Sequence, residues 1–544
     1  MTHSETAPPS AISRSGQAVV FAVVTLLYLV TSSYEAPWGE GAVAQLRALN
    51  GWDFWPDAGH HPLTTLVIKL FVLPWAMADH ISLGTAGCSA VLGGLAAMFF
   101  YRVMRRTGLG HTGASASAFS FAAAHAVWTG VHAGPTVPLY ALILLATIDR
   151  LMAFDKQRPR PLYEAAFLFG LGWVHHRFYL PAVPGILLYL NSRRRDLPVG
   201  WFKPAAVAAL VGVSPMILSS ILYLASGRDI IDLGHTYLFS ETDFYKDRIL
   251  GTRYVDWGPA IEYFVGFWAY NFAGLGLILG LVGIPLALAR AGAANWWIWP
   301  TALVHFIFAL KYNVAEPWRM FVPAFLSFAV FVGFGAQELW RQVMGRISYS
   351  RHSVAAGLVT AGISGSMIVM PTLADIVTPM ALNLAGANPF QVADAGDYHR
   401  QFLNPTCPGS PTAGRFAADV LDALPADAVV LADDRTYGPL ALTNRVSAKT
   451  SGITVERLKG ADAKDVKRQA KAWGDERPVF AVLGPFHKLD TGHEMHRIGR
   501  AYHGTLPIYL VRAPGIGWAG SEKICLCHDG KKGDAGKKLS SKRS

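Results

Sequence analysis

The chain reads as a polytopic α-helical membrane protein with a small α/β domain at its C-terminal end. Three observations predict this: a charge-poor apolar composition, basic clusters alternating with apolar runs, and a change of pattern near residue 372. Of 544 residues, 52% are hydrophobic and 16% charged, and the mean hydropathy is +0.29. Soluble chains carry roughly a quarter charged residues. Nearly all the long apolar runs precede residue 372, so the sequence divides into a helical bundle and an appended domain.

A spanning helix needs roughly 20 mostly apolar residues. Candidate spans begin near Val19, Gly84, Ala114, Val137, Ala165, Tyr179, Ala205, Phe272, Trp296, Phe321 and Ala355, about eleven in all. The first, from Ala18 to Thr31, leads into Ser-Ser-Tyr-Glu without a small-x-small cleavage pattern, so it reads as a retained helix. Basic residues then set the orientation. Arg102, Arg105 and Arg106 close the second span. Arg150, Lys156, Arg158 and Arg160 follow the fourth, and Arg193, Arg194 and Arg195 the sixth. Arg290 follows the eighth, and Arg341, Arg346 and Arg351 the tenth. Every cluster comes after an even-numbered span, which the positive-inside rule makes cytoplasmic.

This orientation gives a cytoplasmic N-terminus over 1–16 and a transmembrane domain over 17–372. Two loops, 34–81 and 228–257, fall outside the cytoplasm, together with a C-terminal domain over 373–520. The segment PLTTLVIKLFVLPWAMA within the first loop is short and interrupted by Lys69 and Pro74, and suits a helix lying in the interface. Were it a span, every later basic cluster would move outside. In the C-terminal part, AVVLA (428–432), GITVERL (452–458), PVFAVLG (478–484) and PIYLVRA (507–513) are short, β-branched runs bounded by turns. Helical patterns lie between them, so an extracytoplasmic α/β domain follows. Residues 521–544 read as a disordered basic tail. High alanine content and the lack of eukaryotic signals point to a bacterial inner membrane.

A net charge of +11 invites a nucleic-acid partner, but the charge sits in topological clusters and in the tail, with no basic face interleaved with aromatics. Nucleic acid is therefore excluded. Of four cysteines, Cys88 lies in an apolar run, and Cys407 could pair with Cys525 or Cys527 in an oxidising compartment. The Cys-x-Cys pair alone does not make a zinc site.

Chemistry concentrates in the first outer loop. It carries Glu35, Glu40, Asp53 and Asp57, then His60 and His61, with Trp38, Trp52 and Trp55 able to anchor it at the interface. A carboxylate there could take a proton from an acceptor hydroxyl or hold a divalent cation, although nothing in the pattern demands a metal. His175, His176 and Arg177 lie at the outer end of the fifth span, where polar groups are costly unless used or paired. Arg319, close to Lys311 and Glu316, can offer a two-pronged guanidinium to a phosphate. Ordinary interfacial pairing would explain the last two groups as well. His125, His132 and His305 read as packing residues. The loop at 228–257, with Asp232, His235, Glu241 and Asp243, reads equally as a cover over a site or as a solvated connector.

A first span, an outer loop with an acidic residue and a His-Pro segment before the second span together resemble the GT-C glycosyltransferases. The nearest likeness is to a bacterial family related to the protein O-mannosyltransferases, whose loop reads D-x-G-E and then G-H-P-P-G. Here PWGEGAVAQL supplies Gly39 and Glu40, and AGHHPLTTLVIKLF supplies Gly59, His60, His61 and Pro62. LFGLGWVHHRFYLPAVP, EPWRMFVPAFLSFAVFVGFG and FAADVLDALPADAVVLADDRTYGPLAL are similar to later segments of that family. Pro37 stands where the family has its Asp, and the second proline of its His-Pro-Pro is absent.

The resemblance implies a polyprenyl-phosphate sugar as donor and a protein, lipid or polysaccharide acceptor outside the cytoplasm. It implies Glu40 as general base, with Asp53 next and Glu35 as a stand-in for the missing Asp. His60, His61, His175, His176, Arg177 and Arg319 would bind substrate, and Arg319, with His176 and Arg177, would face the departing phosphate. The rival readings are a transporter or lipid flippase, which favours inverted repeats and mid-membrane charges, and an inactive scaffold of the same fold.

Overall fold

The computed structural model describes residues 13–50, 61–74, 80–239, most of 261–290, 303–307, 321–344 and most of 354–369. In the C-terminal part it describes 412–447 apart from 435, then 452–458, 463–473, 477–482, 496–501 and 506–512. Helix α1 (Arg14–Thr31) starts where the Ser13 hydroxyl accepts from the Gly16 N–H. The first loop contributes α2 (Glu40–Leu49) and α3 (Pro62–Val67), the latter continuing as a π turn through Val72. The bundle proceeds through α4 (Ile81–Arg106), α5 (His111–Ala123), α6 (His125–Ala133), α7 (Thr136–Ala153) and α8 (Arg160–His175). A 3-10 stretch (Arg177–Ala182) leads into α9 (Val183–Ser192), followed by α10 (Phe202–Ala225) and α11 (Ile230–Phe239). Helices α12 (Leu275–Ala289), α13 (Val322–Met344) and α14 (Ala356–Val369) complete it.

Among the described residues, five helices are long and apolar enough to cross a membrane: α1, α4, α7, α10 and most of α13. The expected spans from Ala165, Tyr179, Phe272 and Ala355 correspond to shorter helices, and the one from Trp296 lies outside the described residues apart from 303–307. The run from Ala114 is not one straight helix. It breaks at Ala124 (ψ 126°), and the buried Asn271 side chain accepts from the freed Ala126 N–H at 2.7 Å. Outward-facing Val207, Leu210, Ile217, Leu218 and Ile221 leave α10 with an apolar surface suited to lipid. Helices α12 and α13 approach at Gly283 and Gly335, where a Cβ would meet a backbone carbonyl of the other helix.

Helix α15 (Thr412–Ala423) opens the C-terminal part. Then come β1 (Val429–Ala432), α16 (Tyr437–Val446), β2 (Thr454–Arg457), α17 (Ala463–Ala472), β3 (Val479–Val482), β4 (His496–Ala501) and β5 (Leu506–Arg512). The sheet order is β2-β1-β3-β5-β4, parallel among the first three strands and antiparallel beyond β3. The fully buried β1 and β3 read as continuous apolar runs because helices cover both faces.

This domain rests on the first loop. Ala42, Ala44, Leu46 and Ala48 of α2 share a buried cluster with Ala441 and Leu442 of α16, and Trp38 packs on Phe416 at 5.1 Å. Lys69, the charge that interrupts the interfacial segment, donates to the Ala48 carbonyl at 2.9 Å near the end of α2. A cavity of 480 Å³ remains between α2 and α16, lined by residues that include Asn50, Tyr437 and Asn444.

Candidate active site

Glu40 is the first residue of α2, and the backbone around it is fixed by a glycine turn and by close approach of two other segments. Gly39, the N-cap, has φ +63°, a conformation that a side chain would strain. A Cβ on Gly41 would lie 1.6 Å from the Ala133 carbonyl oxygen at the end of α6. A Cβ on Gly438, in α16, would lie 2.5 Å from the Gly39 carbonyl oxygen. The Gly-Glu-Gly of the sequence is thus a wedge between the bundle and the C-terminal domain. Gly41→Ala should therefore force α2 off α6 and destabilise the protein by about 1–3 kcal/mol or more. Thermal unfolding of the purified variant checks this; an unchanged midpoint would show that the contact is loose.

The Glu40 carboxylate lies 3.6 Å from the Arg457 guanidinium and keeps 41% of its side-chain surface exposed. Arg457 ends β2 and donates to Asp434, in the turn after β1, at 2.7 Å. Both residues stand at the carboxyl ends of neighbouring parallel strands. Connections leave β1 toward β2 on one side, with β3 on the other, and such an edge is where open α/β sheets place ligands. The Thr436 N–H donates to buried Asp433 at 2.9 Å and holds this turn closed. Glu35 lies against Gly414 and Arg415 of α15. Loss of water around it pushes its carboxyl above the usual range, while the Arg415 charge pulls the other way.

A second group gathers at α3 and α8. His61 stacks on His176 with ring centroids 4.7 Å apart and lies 6.1 Å from His175. Buried His175 donates through Nε2 to the Thr136 carbonyl at 2.8 Å, so its neutral ring keeps Nδ1 as an acceptor. Tyr140 flanks His176 at 6.4 Å, and its hydroxyl pairs with His305 Nε2 at 3.0 Å. His61 has φ +43° directly before Pro62, the one positive φ outside glycine among the described residues. Such strain persists only where the surroundings impose it. Here His176 stacking and the buried Pro62, Leu63, Thr64 and Thr65 supply that constraint.

The structure therefore brings His61, His175 and His176 together and holds Glu40 and Glu35 against the C-terminal domain. Asp53, His60 and Arg319 lie outside the described residues, as do Asp57, Lys311 and Glu316. Arg177 begins the 3-10 stretch, and its side chain lies outside the described set. Sequence reasoning missed Arg457 and Asp434. Their signal was polar residues at strand carboxyl ends, which is legible only once strand order is known. It also read Arg102, Arg106 and Arg150 as topology markers alone, whereas all three bind the buried Asp149. An acid inside an apolar run was the available clue.

Comparison with known proteins adds to this geometry. The family model described as dolichyl-phosphate-mannose-protein mannosyltransferase matches residues 60–218, the stretch from His60 into α10. ArnT from Cupriavidus metallidurans bound to undecaprenyl phosphate is similar over 94% of this chain and 100% of its own, with a TM-score of 0.51 and 15% identity. The Archaeoglobus fulgidus oligosaccharyltransferase in complex with Zn and sulfate aligns over 85% of this chain and 67% of its own, with a TM-score of 0.46 and 12% identity. The mycobacterial arabinofuranosyltransferase AftD aligns over 93% of this chain and 40% of its own, with a TM-score of 0.41 and 13% identity. Comparison with curated protein sequences finds no match. The chain accordingly shares its fold with ArnT, and its stretch 60–218 is similar to the dolichyl-phosphate-mannose-protein mannosyltransferases.

Proposed function

We propose that the protein transfers a sugar from a polyprenyl-phosphate donor to a hydroxyl acceptor on the extracytoplasmic face of a bacterial inner membrane. The observation that carries this reading is the confinement of Glu40. A lone acid on a wet loop needs no such clamp, whereas a group that must meet a reacting hydroxyl does. Support comes from the fold shared with ArnT, whose structure holds undecaprenyl phosphate, and from the mannosyltransferase segment at 60–218.

In this reading the isoprenoid lies among the helices and brings its phosphate to the outer interface. The acceptor oxygen bonds to the anomeric carbon of the sugar as the bond from that carbon to the phosphate oxygen breaks. Glu40 takes the hydroxyl proton, with Asp53 as the second choice and Glu35 as a neighbour. Phosphate leaves carrying the bonding electrons, and His176, Arg177 and Arg319 stabilise its charge. His60, His61 and His175 complete the donor side. Were a divalent cation to act here, carboxylates such as Glu40 would hold it and it would supply positive charge near the donor phosphate; the residue set does not require one. The acceptor is a protein, lipid or polysaccharide that meets the C-terminal domain at the Arg457–Asp434 edge.

The test incubates purified full-length protein with labelled polyprenyl-phosphate hexoses and pentoses and crude envelope acceptors. Label is expected in a new glycosidic bond, with free polyprenyl phosphate released in equal amount. Movement of intact donor between leaflets without a new bond would make the protein a flippase. Neither outcome, across every donor, would leave a scaffold without activity.

A further inference from the structure

At the basic end of the bundle, guanidinium groups from α4 and α7 converge on one carboxylate. The Asp149 side chain, near the end of α7, is fully buried. It accepts from Arg102 at 2.8 Å, Arg106 at 2.8 Å and Arg150 at 2.5 Å. Glu164, on α8, lies 3.3 Å from Arg150 and 2.9 Å from Arg160. Four cations thus share two carboxylates, and positive charge is left over.

That surplus is held close. The three arginines around Asp149 keep only 20–23% of their side-chain surface exposed, so water screens their mutual repulsion less than at an open surface. Donors are left over as well. Arg102 uses Nε and Nη2 on Asp149, and Arg106 uses Nε alone. Arg102 Nη1 and both Nη atoms of Arg106 have no hydrogen-bond partner among the described residues. Two forks with spare, parallel N–H groups match the oxygens of a phosphate. These residues lie where α4 and α7 end and α8 begins, at one end of two helices long and apolar enough to cross a membrane. The phosphate at hand there belongs to lipid.

We propose that the Arg102–Arg106–Arg150 cluster binds the phosphate of an anionic phospholipid, with Asp149 fixing the arginines in place. This site stands apart from the proposed transfer chemistry and does not depend on it.

The experiment places full-length protein in vesicles of phosphatidylcholine alone, or of an equal mixture with phosphatidylglycerol. Retained lipid is read by native mass spectrometry and the unfolding midpoint by thermal melting. Phosphatidylglycerol is expected to be retained in preference to phosphatidylcholine and to raise the midpoint. Arg106→Gln is expected to lower that preference about fivefold, while Arg194→Gln in the exposed basic turn leaves it unchanged. Equal retention of the two lipids would overturn the proposal, as would an equal effect of both variants. Inorganic phosphate added to phosphatidylcholine vesicles tests a free anion; if it stabilises as well as phosphatidylglycerol, the lipid assignment fails. Should Arg106→Gln not fold, Arg106→Lys keeps the charge but loses the fork, and an unchanged preference in that variant counts against the site.

Discussion

Glu40→Gln should abolish glycosyl transfer while the protein remains folded and inserted. Glutamine keeps the size and leaves the Gly39 turn and the Gly41 contact with Ala133 untouched, so α2 stays in place. It removes the capacity to accept a proton. Loss of a general base costs typically about 10²–10⁴-fold in rate, and an assay with labelled donor would register that as no product. The pair with Arg457 is partly exposed on both sides and spans 3.6 Å, so its loss should cost less than about 1 kcal/mol of stability. A near-normal melting temperature with no turnover is therefore the expected signature. Wild-type turnover by this variant would remove Glu40 from the mechanism and leave Asp53 as the next carboxylate to replace.

The largest stability effect should follow Asp149→Asn. The substitution keeps the shape but leaves Arg102, Arg106 and Arg150 packed around a neutral group. Breaking a buried pair by removing one partner costs about 3–5 kcal/mol, because the remaining charge has lost its compensation. Three helical segments meet there, so the loss should loosen the joint of α4, α7 and α8 together. Glu338→Gln is the matched control. Its pairs with Arg290 and Arg341 are more open to solvent and should contribute no more than about 1 kcal/mol. Thermal unfolding of the two variants in one detergent decides the matter; equal midpoints would show that Asp149 is not a structural anchor.

Much of the architecture was legible because it depends on local pattern. Apolar runs of membrane length mark α1, α4, α7, α10 and α13, since a chain in lipid must satisfy its backbone within each helix. The runs at 428–432, 452–458, 478–484 and 507–513 coincide with β1, β2, β3 and β5, and in β1 and β3 the apolar side chains are buried on both faces. Strand β4 was not legible. His-Arg-Ile-Gly-Arg-Ala has no alternating apolar face, and its antiparallel pairing with β5 alone makes it a strand. The break at Ala124 was equally hidden, because the group that accommodates it, Asn271, comes from a helical turn far along the chain.

The candidate site divides the same way. Residue type and position singled out Glu40 and the histidines: an acid after the first apolar helix and paired imidazoles at the end of another stand out from their apolar surroundings. Chain order alone therefore determined the membrane class and which side chains could carry chemistry. Only the tertiary structure decided that His61 stacks on His176, that Glu40 is wedged between α6 and α16, and that Arg457 and Asp434 stand before it. Those contacts join segments from roughly one hundred to four hundred residues apart. They depend on close approach of backbones and on strand order, and neither leaves a periodic trace in a linear sequence.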